Sequence, residues 1–266
     1  MTAHAVRYLF ILKTSACQQW VYRSELLART VQIALFVGVF MALWSTAYAV
    51  SGQERLAGFT RAEMVWYFAM TETIILSSSR IFADIAEAVR AGELAYTLAR
   101  PTSYPFFQVA SSLGNSVPRF FLNLVVASAV VAIGTQQIAG SLPGLAGFLI
   151  LAAAALLLDA LAGVLIGLAA FWIEEVSPIF WIYQKLLFTV GGMFLPLEFF
   201  PAGLRDVVRW LPFQFITYAP ARTLVKFDPA FVAQALAGQL AYLALFTALV
   251  ALVWWRATRR LVVHGG

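Results

Sequence analysis

Three lysines are the only side chains in this sequence that could complete a phosphate-binding loop of the form G-x-x-x-x-G-K-[S/T]. Such a loop needs glycines, because backbone amides must approach the phosphates closely, and a lysine that reaches them. Lys13 has no glycine upstream, and neither Lys185 nor Lys226 follows a glycine. We therefore expect no ATP hydrolysis by this mechanism.

Metal and nucleophile chemistry have no better support. His4 and His264 lie at opposite ends of the chain, and Cys17 is its one cysteine, which excludes a disulfide, a four-cysteine zinc site and a CxxC redox pair. Ser51 and Ser141 adjoin glycines, but no histidine lies near either of them in the sequence. We expect that the chain is not an enzyme.

Charged side chains also occur inside long apolar stretches, where a charge at mid-membrane costs about 2.5–3.5 kcal/mol on insertion scales. These residues are Glu72, Arg119, Asp159 and Lys185. The cost predicts partners, so we expect Glu72 to pair with Arg119, and Asp159 to pair with Lys185. One interpretation is structural ion pairs and snorkelling bases, and the other is side chains that line a substrate path.

The composition indicates a membrane protein. Of 266 residues, 62% are hydrophobic and 12% are charged, against about 45–50% and about 25% in soluble chains. A water-soluble domain could not bury so much apolar surface. The net charge of +5 is dispersed along the chain, which suggests basic margins facing anionic lipid and no nucleic-acid partner.

A spanning helix needs about 20 mostly apolar residues, and six segments approach this length. The fold class that they predict is an all-α polytopic membrane protein with transmembrane spans at 31–50, 62–80, 106–136, 145–173, 178–197 and 231–255. With six spans, ten lysines and arginines outside the spans or at their ends fall on the side of both termini and six on the other side. This bias predicts that both termini are cytoplasmic.

Residues 1–30 precede the first span and carry apolar side chains at helical spacing, interrupted by arginines. This pattern predicts an N-terminal interfacial helix that lies along the inner membrane surface. An extended cytoplasmic tail is the alternative.

The cytoplasmic connection at 81–104 has the pattern of a short amphipathic helix, with apolar side chains on one face and charged ones on the others. Gly92 then permits a turn that a β-branched residue would not. A partner could grip such a projecting helix, so we predict a coupling helix over 81–94; an ordinary solvated loop is the alternative. The residues assigned to this contact are Ile81, Asp84, Ile85, Glu87, Val89, Arg90, Gly92, Glu93 and Leu94.

The outer segment at 198–230 and the residues just before it are rich in proline and aromatic residues. Backbone in hydrocarbon must satisfy its own hydrogen bonds, so this stretch cannot cross the membrane as one helix. We predict short re-entrant helices, one of them over 202–210, that form an outer lid; a surface loop with interfacial anchors is the alternative. The lid residues are Pro196, Phe199, Phe200, Pro201, Trp210 and Pro212.

One small-residue motif lies on the fourth span. Gly163 and Gly167 form a G-x-x-x-G pair, which permits close approach of another helix. We expect internal packing at this point rather than a contact between two copies of the chain.

Two longer motifs resemble segments of ABC-2-type permeases, in the compact branch of that family. Residues 89–103, which read Val-Arg-Ala-Gly-Glu-Leu-Ala-Tyr-Thr-Leu-Ala-Arg-Pro-Thr-Ser, resemble its "G-x-L…L-x-R-P" segment. Residues 191–201, which read Gly-Gly-Met-Phe-Leu-Pro-Leu-Glu-Phe-Phe-Pro and continue to Leu-Pro-Phe at 211–213, resemble its "G-x-x-x-P-L-x-x-F-P…L-P-F" segment. The similarity extends over nearly the whole chain.

The resemblance implies the permease subunit of an ATP-driven exporter in a bacterial plasma membrane. A second copy, or a related six-span permease, would complete the membrane body, and two P-loop ATPase subunits would bind beneath it. ATP and Mg would be held by those partners, with no cofactor bound by this chain. The rivals are a secondary transporter, which would need ion sites in an inverted repeat that is not visible here, and a non-transporting assembly or scaffold protein.

Overall fold

The computed structural model describes residues 3–19, 23–92 and 102–264, and within these ranges the chain is mostly helical. The helices are α1 (Ala3–Gln19), α2 (Arg23–Ser51), α3 (Arg61–Ile75), α4 (Ile81–Arg90), α5 (Tyr104–Thr135), α6 (Leu142–Leu168), α7 (Ser177–Thr189), α8 (Ala202–Val208), α9 (Pro212–Ile216), α10 (Tyr218–Val225) and α11 (Pro229–His264). Strands β1 (Arg55–Leu56) and β2 (Phe59–Thr60) form an antiparallel hairpin before α3. Two 3-10 helices, Ala169–Phe171 and Leu197–Phe199, follow α6 and α7.

Four of these helices are long and apolar enough to cross a membrane. They are Thr30–Ser51 in α2, Tyr104–Thr135, Leu142–Phe171 and Pro229–Arg259 in α11. Pro118 lies inside α5 without ending it, as proline does in membrane helices where neighbours satisfy the freed backbone groups. The segments predicted as spans 62–80 and 178–197 overlap the shorter helices α3 and α7, of 15 and 13 residues.

Helix α3 occupies the centre of the bundle. Twelve of its fifteen residues are buried, because α2, α5 and α10 pack around it. A capping box starts the helix: the Thr60 hydroxyl accepts a hydrogen bond from the Glu63 amide, and the Glu63 carboxylate accepts one from the Thr60 amide at 2.8 Å. Residues on all sides of α3 are therefore enclosed, as in a helix at the interior of a bundle.

Helix α6 connects the two ends of the bundle. Its first turn lies against α10, where a Cβ added to Gly144 would come within 2.8 Å of the Leu224 carbonyl oxygen. Its last turns lie against α4. We call residues 197–225 the cap, and refer to the two ends of the bundle as the cap end and the α4 end.

Helix α7 stops inside the bundle, eight residues before the end of the predicted span, at a Gly-Gly turn. Gly192 has φ +81°, and a Cβ there would come within 2.7 Å of the Leu197 side chain. The Tyr67 hydroxyl donates to the Gly192 carbonyl, and the Thr217 hydroxyl donates to the Gly191 carbonyl. Because side chains satisfy these carbonyls, the backbone can leave the helix in the interior.

Helix α1 covers most of the segment predicted to lie along the membrane surface, and it packs on α5. A Cβ on Gly114 of α5 would come within 2.5 Å of the Leu12 carbonyl oxygen, and Ser15 Oγ lies 3.3 Å from Ser111 Oγ. Leu9 and Phe10 remain exposed. The placement of α1 relative to the membrane surface stays a prediction.

The G-x-x-x-G pair of α6 receives α4. A Cβ on Gly163 would come within 2.7 Å of Ile81 Cγ2, and one on Gly167 within 2.8 Å of Ile85 Cβ. The expectation of internal packing is confirmed, and the helix that packs there is α4. Since no side chain separates the two helices, their backbones approach closely.

We predict that Gly167→Ala destabilises the chain by about 1–3 kcal/mol, because the added methyl overpacks a contact with the Cβ of a rigid β-branched residue. Gly38→Ala is the matched control, since Gly38 also lies in an apolar helix but has nothing within 4 Å of its Cβ position. That variant should be neutral or slightly more stable. Thermal unfolding of the two purified variants in detergent distinguishes them, and an equal effect would contradict the role of the close contact.

Candidate functional site

Helix α4 matches the helix predicted within 81–94, and its apolar face is fully engaged. Ile81 and Ile85 pack on α6. Phe82 stacks on Phe180 of α7 with ring centroids 3.9 Å apart and ring planes 17° apart. Helix α4 is therefore attached to two helices of the bundle at once.

The other side of α4 is charged and exposed. Asp84, Glu87 and Arg90 all reach solvent. Partial burial raises the pKa of Asp84, and the neighbouring Glu87 raises it further. We call these three residues the charged face of α4.

The charged face continues onto the connection between α6 and α7. Arg90 Nη1 lies 3.7 Å from Glu175 Oε2, and both side chains are more than half exposed. The Ser177 hydroxyl and amide donate to Glu175, and these hydrogen bonds lower the pKa of its carboxyl. Between α4 and this connection lies a groove of about 640 Å³, lined by Val89, Arg90, Ala170, Phe171, Trp172, Ile173, Glu174 and Glu175.

Sequence reasoning missed this second wall of the groove. The signal that could have found it is the acidic pair Glu174-Glu175, which lies between two apolar segments and on the predicted side of the 81–104 connection. Gly92, with φ +70°, makes the predicted turn after α4. Glu93 and Leu94, also assigned to the contact, lie outside the described residues.

The predicted ion pair of Asp159 with Lys185 does not form. Asp159 Oδ1 accepts a hydrogen bond from the Tyr183 hydroxyl at 2.7 Å. Lys185 is exposed, because residues two apart on a helix point about 200° apart, so Lys185 faces away from α6 when Tyr183 faces it. Pairing Asp159 with Lys185 was therefore wrong.

The predicted pairing of Glu72 with Arg119 stays a prediction, and the structure places the two residues at different heights. The Asn123 amide of α5 donates to Ser77 Oγ at 3.0 Å, which aligns α5 with the end of α3. Glu72 precedes Ser77 by five residues, about 7 Å towards the cap, and Arg119 precedes Asn123 by four, about 6 Å towards the α4 end. Glu72 is 1% exposed, and its Oε1 has no hydrogen-bond partner. Whether the four charges line a path stays a prediction.

The cap consists of three short helices after a 3-10 turn, and α8 lies within the segment predicted to be helical over 202–210. Glu198 is its polar centre: its Oε1 accepts hydrogen bonds from the Tyr218 hydroxyl at 2.8 Å and from Arg222 Nε at 3.1 Å. The Arg222 guanidinium lies 4.0 Å from the centroid of the Phe231 ring at the start of α11. This cluster, which the sequence did not indicate, joins the 3-10 turn, α10 and α11.

The residues assigned to the outer lid do not share one environment. Pro196 is buried, Phe199, Phe200 and Pro212 are partly buried, and Pro201 and Trp210 are exposed. Trp210 stands at the rim of a cavity of about 720 Å³ between the cap and α11. The cavity is lined by Glu198, Asp206, Arg209, Trp210, Gln214, Phe215, Tyr218, Arg222, Phe231, Gln234, Ala235 and Gly238.

The arrangement comprises apolar crossing helices, a helix with a charged face at one end and a helical cap at the other. The sequence of the chain matches the family model described as ABC-2 family transporter protein over residues 33–265. The chain belongs to the ABC-2 transporter family. Among curated protein sequences, none matches it.

Membership confirms the resemblance that the two motifs indicated. The permease is a membrane-embedded component of an ABC-type transporter, and in such a transporter a permease associates with ABC ATPases. Within residues 3–19, 23–92 and 102–264, no three histidine, cysteine or acidic side chains cluster as a metal site would require. The roles assigned to α4, the intramembrane charges and the cap residues remain predictions.

We predict that Glu198→Ala destabilises the permease by about 1–3 kcal/mol, because it leaves Arg222, only 20% exposed, without its counter-charge. Asp206→Ala is the matched control in the same cap. It removes an ion pair to Arg209 whose side chains are 60% and 69% exposed, so its effect should stay within about 0.5 kcal/mol. Thermal unfolding of both variants tests this difference, and equal effects would show that Glu198 is not a structural centre.

Proposed function

We propose that the permease crosses a bacterial plasma membrane six times, through α2, α3, α5, α6, α7 and α11, with the α4 end and both termini in the cytoplasm. Two features of the bundle support six crossings. Successive helices in this series run alternately towards and away from the cap, and α3 and α7, about 22 and 20 Å long, are each continued at one end by further ordered chain. The more basic side of this topology is then the cytoplasmic one.

The function that follows is export driven by ATP hydrolysis in partner subunits. Two permease chains would form the path, and two P-loop ATPase subunits would bind beneath them, holding ATP and Mg. The observation that supports this proposal most directly is the two-sided environment of α4. Its apolar face packs against α6 and α7, and its charged face is exposed beside the groove at Glu175.

Coupling through α4 is mechanical. A partner ATPase that holds the charged face and the groove would move α4 when it closes on ATP. Close-packed interiors transmit displacement instead of absorbing it, so the contacts of Ile85 with Gly167 and of Phe82 with Phe180 would carry the motion into α6 and α7. The two states of the path would then change in population.

Binding to the ATPase can be tested on the charged face itself. We expect the triple variant Asp84→Ala, Glu87→Ala, Arg90→Ala to weaken ATPase binding by about tenfold or more, since interfacial charge contacts each contribute strongly when desolvated. The fold should persist, because all three side chains are exposed. Co-purification of a P-loop ATPase from the native membrane, followed by titration of that ATPase onto each variant, provides the measurement.

Asp206→Ala, at the cap end, is the matched control and should bind the ATPase like the unmodified chain. The proposal fails if no P-loop protein co-purifies and ATP leaves transport unchanged. Transport that persists without any ATPase would favour a secondary transporter instead. A triple variant that binds normally would remove α4 from the coupling contact while leaving the family assignment intact.

A further inference from the structure

Helix α7 is poorly covered by the rest of the chain. Of its thirteen residues one, Leu187, is buried, whereas α3 is almost wholly buried. Trp181 is 59% exposed and Ile182 is 62% exposed. A whole face of α7 therefore lies open along the middle of the bundle.

Lys185 lies on this open face, at a position along the bundle axis that is well away from the α4 end. Tyr183 fixes the depth of this part of α7, because its hydroxyl donates a hydrogen bond to Asp159 of α6. Asp159 lies nine residues, about 14 Å, before Leu168, where α6 ends at the α4 end of the bundle. Lys185 lies two residues further towards the cap. It is therefore further from the α4 end than a lysine that snorkels from a helix terminus.

The ammonium group of Lys185 has no counter-charge among the described residues. Its nearest aromatic contact is the Phe188 ring, with the centroid 5.7 Å away. The Thr189 hydroxyl one turn on donates to the Lys185 carbonyl at 2.7 Å, so the face carries a polar strip and not only apolar side chains. A lysine directed into lipid at this depth would cost about 2.5–3.5 kcal/mol, which argues that the strip faces water.

A second copy of the chain could not readily neutralise Lys185. The two carboxylates placed at comparable depth are Glu72, which is 1% exposed, and Asp159, which is held by Tyr183. Both are enclosed within their own chain. In a water-filled path, the anionic group of a bound molecule could approach Lys185 and supply its counter-charge.

We propose that Lys185 lines the cargo path and gives the permease a preference for amphiphiles with an anionic headgroup. This inference rests on the proposed transport function and names its substrate class. Phe188 contacts Phe194 with centroids 5.6 Å apart, and Phe194 contacts Phe40 at 5.7 Å. The ammonium group meets the headgroup, and the adjoining rings meet the alkyl chain.

The first experiment measures whether the strip faces water and needs no ATPase. Cys17, the one native cysteine, is exposed and is first replaced by serine. In membranes containing the full-length chain, Lys185→Cys should react with 2-sulfonatoethyl methanethiosulfonate at least about tenfold faster than Val125→Cys, because thiols in apolar surroundings stay protonated. Val125 is the matched control because its side chain is 66% exposed and because it lies inside the crossing helix α5. Its position there is two residues after Asn123, which bonds to Ser77.

Protection of a neighbouring cysteine from labelling tests the headgroup preference. With Ile182→Cys, one turn away on the same face, as the reporter, dodecyl phosphate should slow labelling, while dodecyltrimethylammonium and inorganic phosphate should not. Adding Lys185→Gln should weaken protection by dodecyl phosphate about tenfold, the value of one charge-assisted hydrogen bond. Lys185→Arg should retain it.

The outcomes separate this inference from the proposed function. Slow labelling at both 182 and 185 would show a dry surface and overturn the inference. Equal protection by the cationic amphiphile, or full protection in Lys185→Gln, would overturn the headgroup preference. Failure to bind an ATPase would refute the proposed function while leaving the labelling pattern as a separate result.

Discussion

Close packing between α4 and α6 depends on two residues without side chains, Gly163 and Gly167. Their absence of Cβ atoms lets Ile81 and Ile85 reach the backbone of α6, and this contact positions the charged face at the end of the bundle. If α4 were held further away, Phe82 could not stack on Phe180 at 3.9 Å, and the groove beside Glu175 would lose one wall. The site at the α4 end is thus a consequence of helix spacing.

The cap end is organised by a different constraint, the need to satisfy polar groups inside an apolar bundle. Helix α7 can stop at Thr189 because Tyr67 and Thr217 bond the carbonyls of the Gly-Gly turn. The space beyond it is filled by α10, which packs between α3 and α6. The Glu198 carboxylate accepts hydrogen bonds from two donors, Tyr218 and Arg222. Short helices at this end are therefore fixed by side-chain hydrogen bonds more than by their own length.

Much of the fold could be predicted, and much less of the polar chemistry. The four longest apolar helices, α4 with its buried and exposed faces, and the turn at Gly92 all follow from periodicity and from the conformational freedom of glycine. The positions of the intramembrane charges follow from the sequence, but the predicted pairing of Asp159 with Lys185 was wrong. Depth estimated along single helices cannot give the rotation of one helix against the next, and rotation turns Lys185 away from Asp159. The Glu198 cluster had no signal, because its partners are 20 and 24 residues away in sequence.

The amino-acid sequence was enough to show that the chain lies in a membrane, which segments are apolar, which loop carries an amphipathic helix, and which family the two motifs resemble. These properties depend on composition and local spacing, which the chain carries residue by residue. Tertiary structure alone decided that α3 is enclosed, that α7 stops short and leaves Lys185 exposed, that α4 packs on Gly163 and Gly167, and that Glu175 faces Arg90. Each of these depends on the relative height and rotation of helices that are distant in sequence, and only packing of the whole bundle fixes those two quantities.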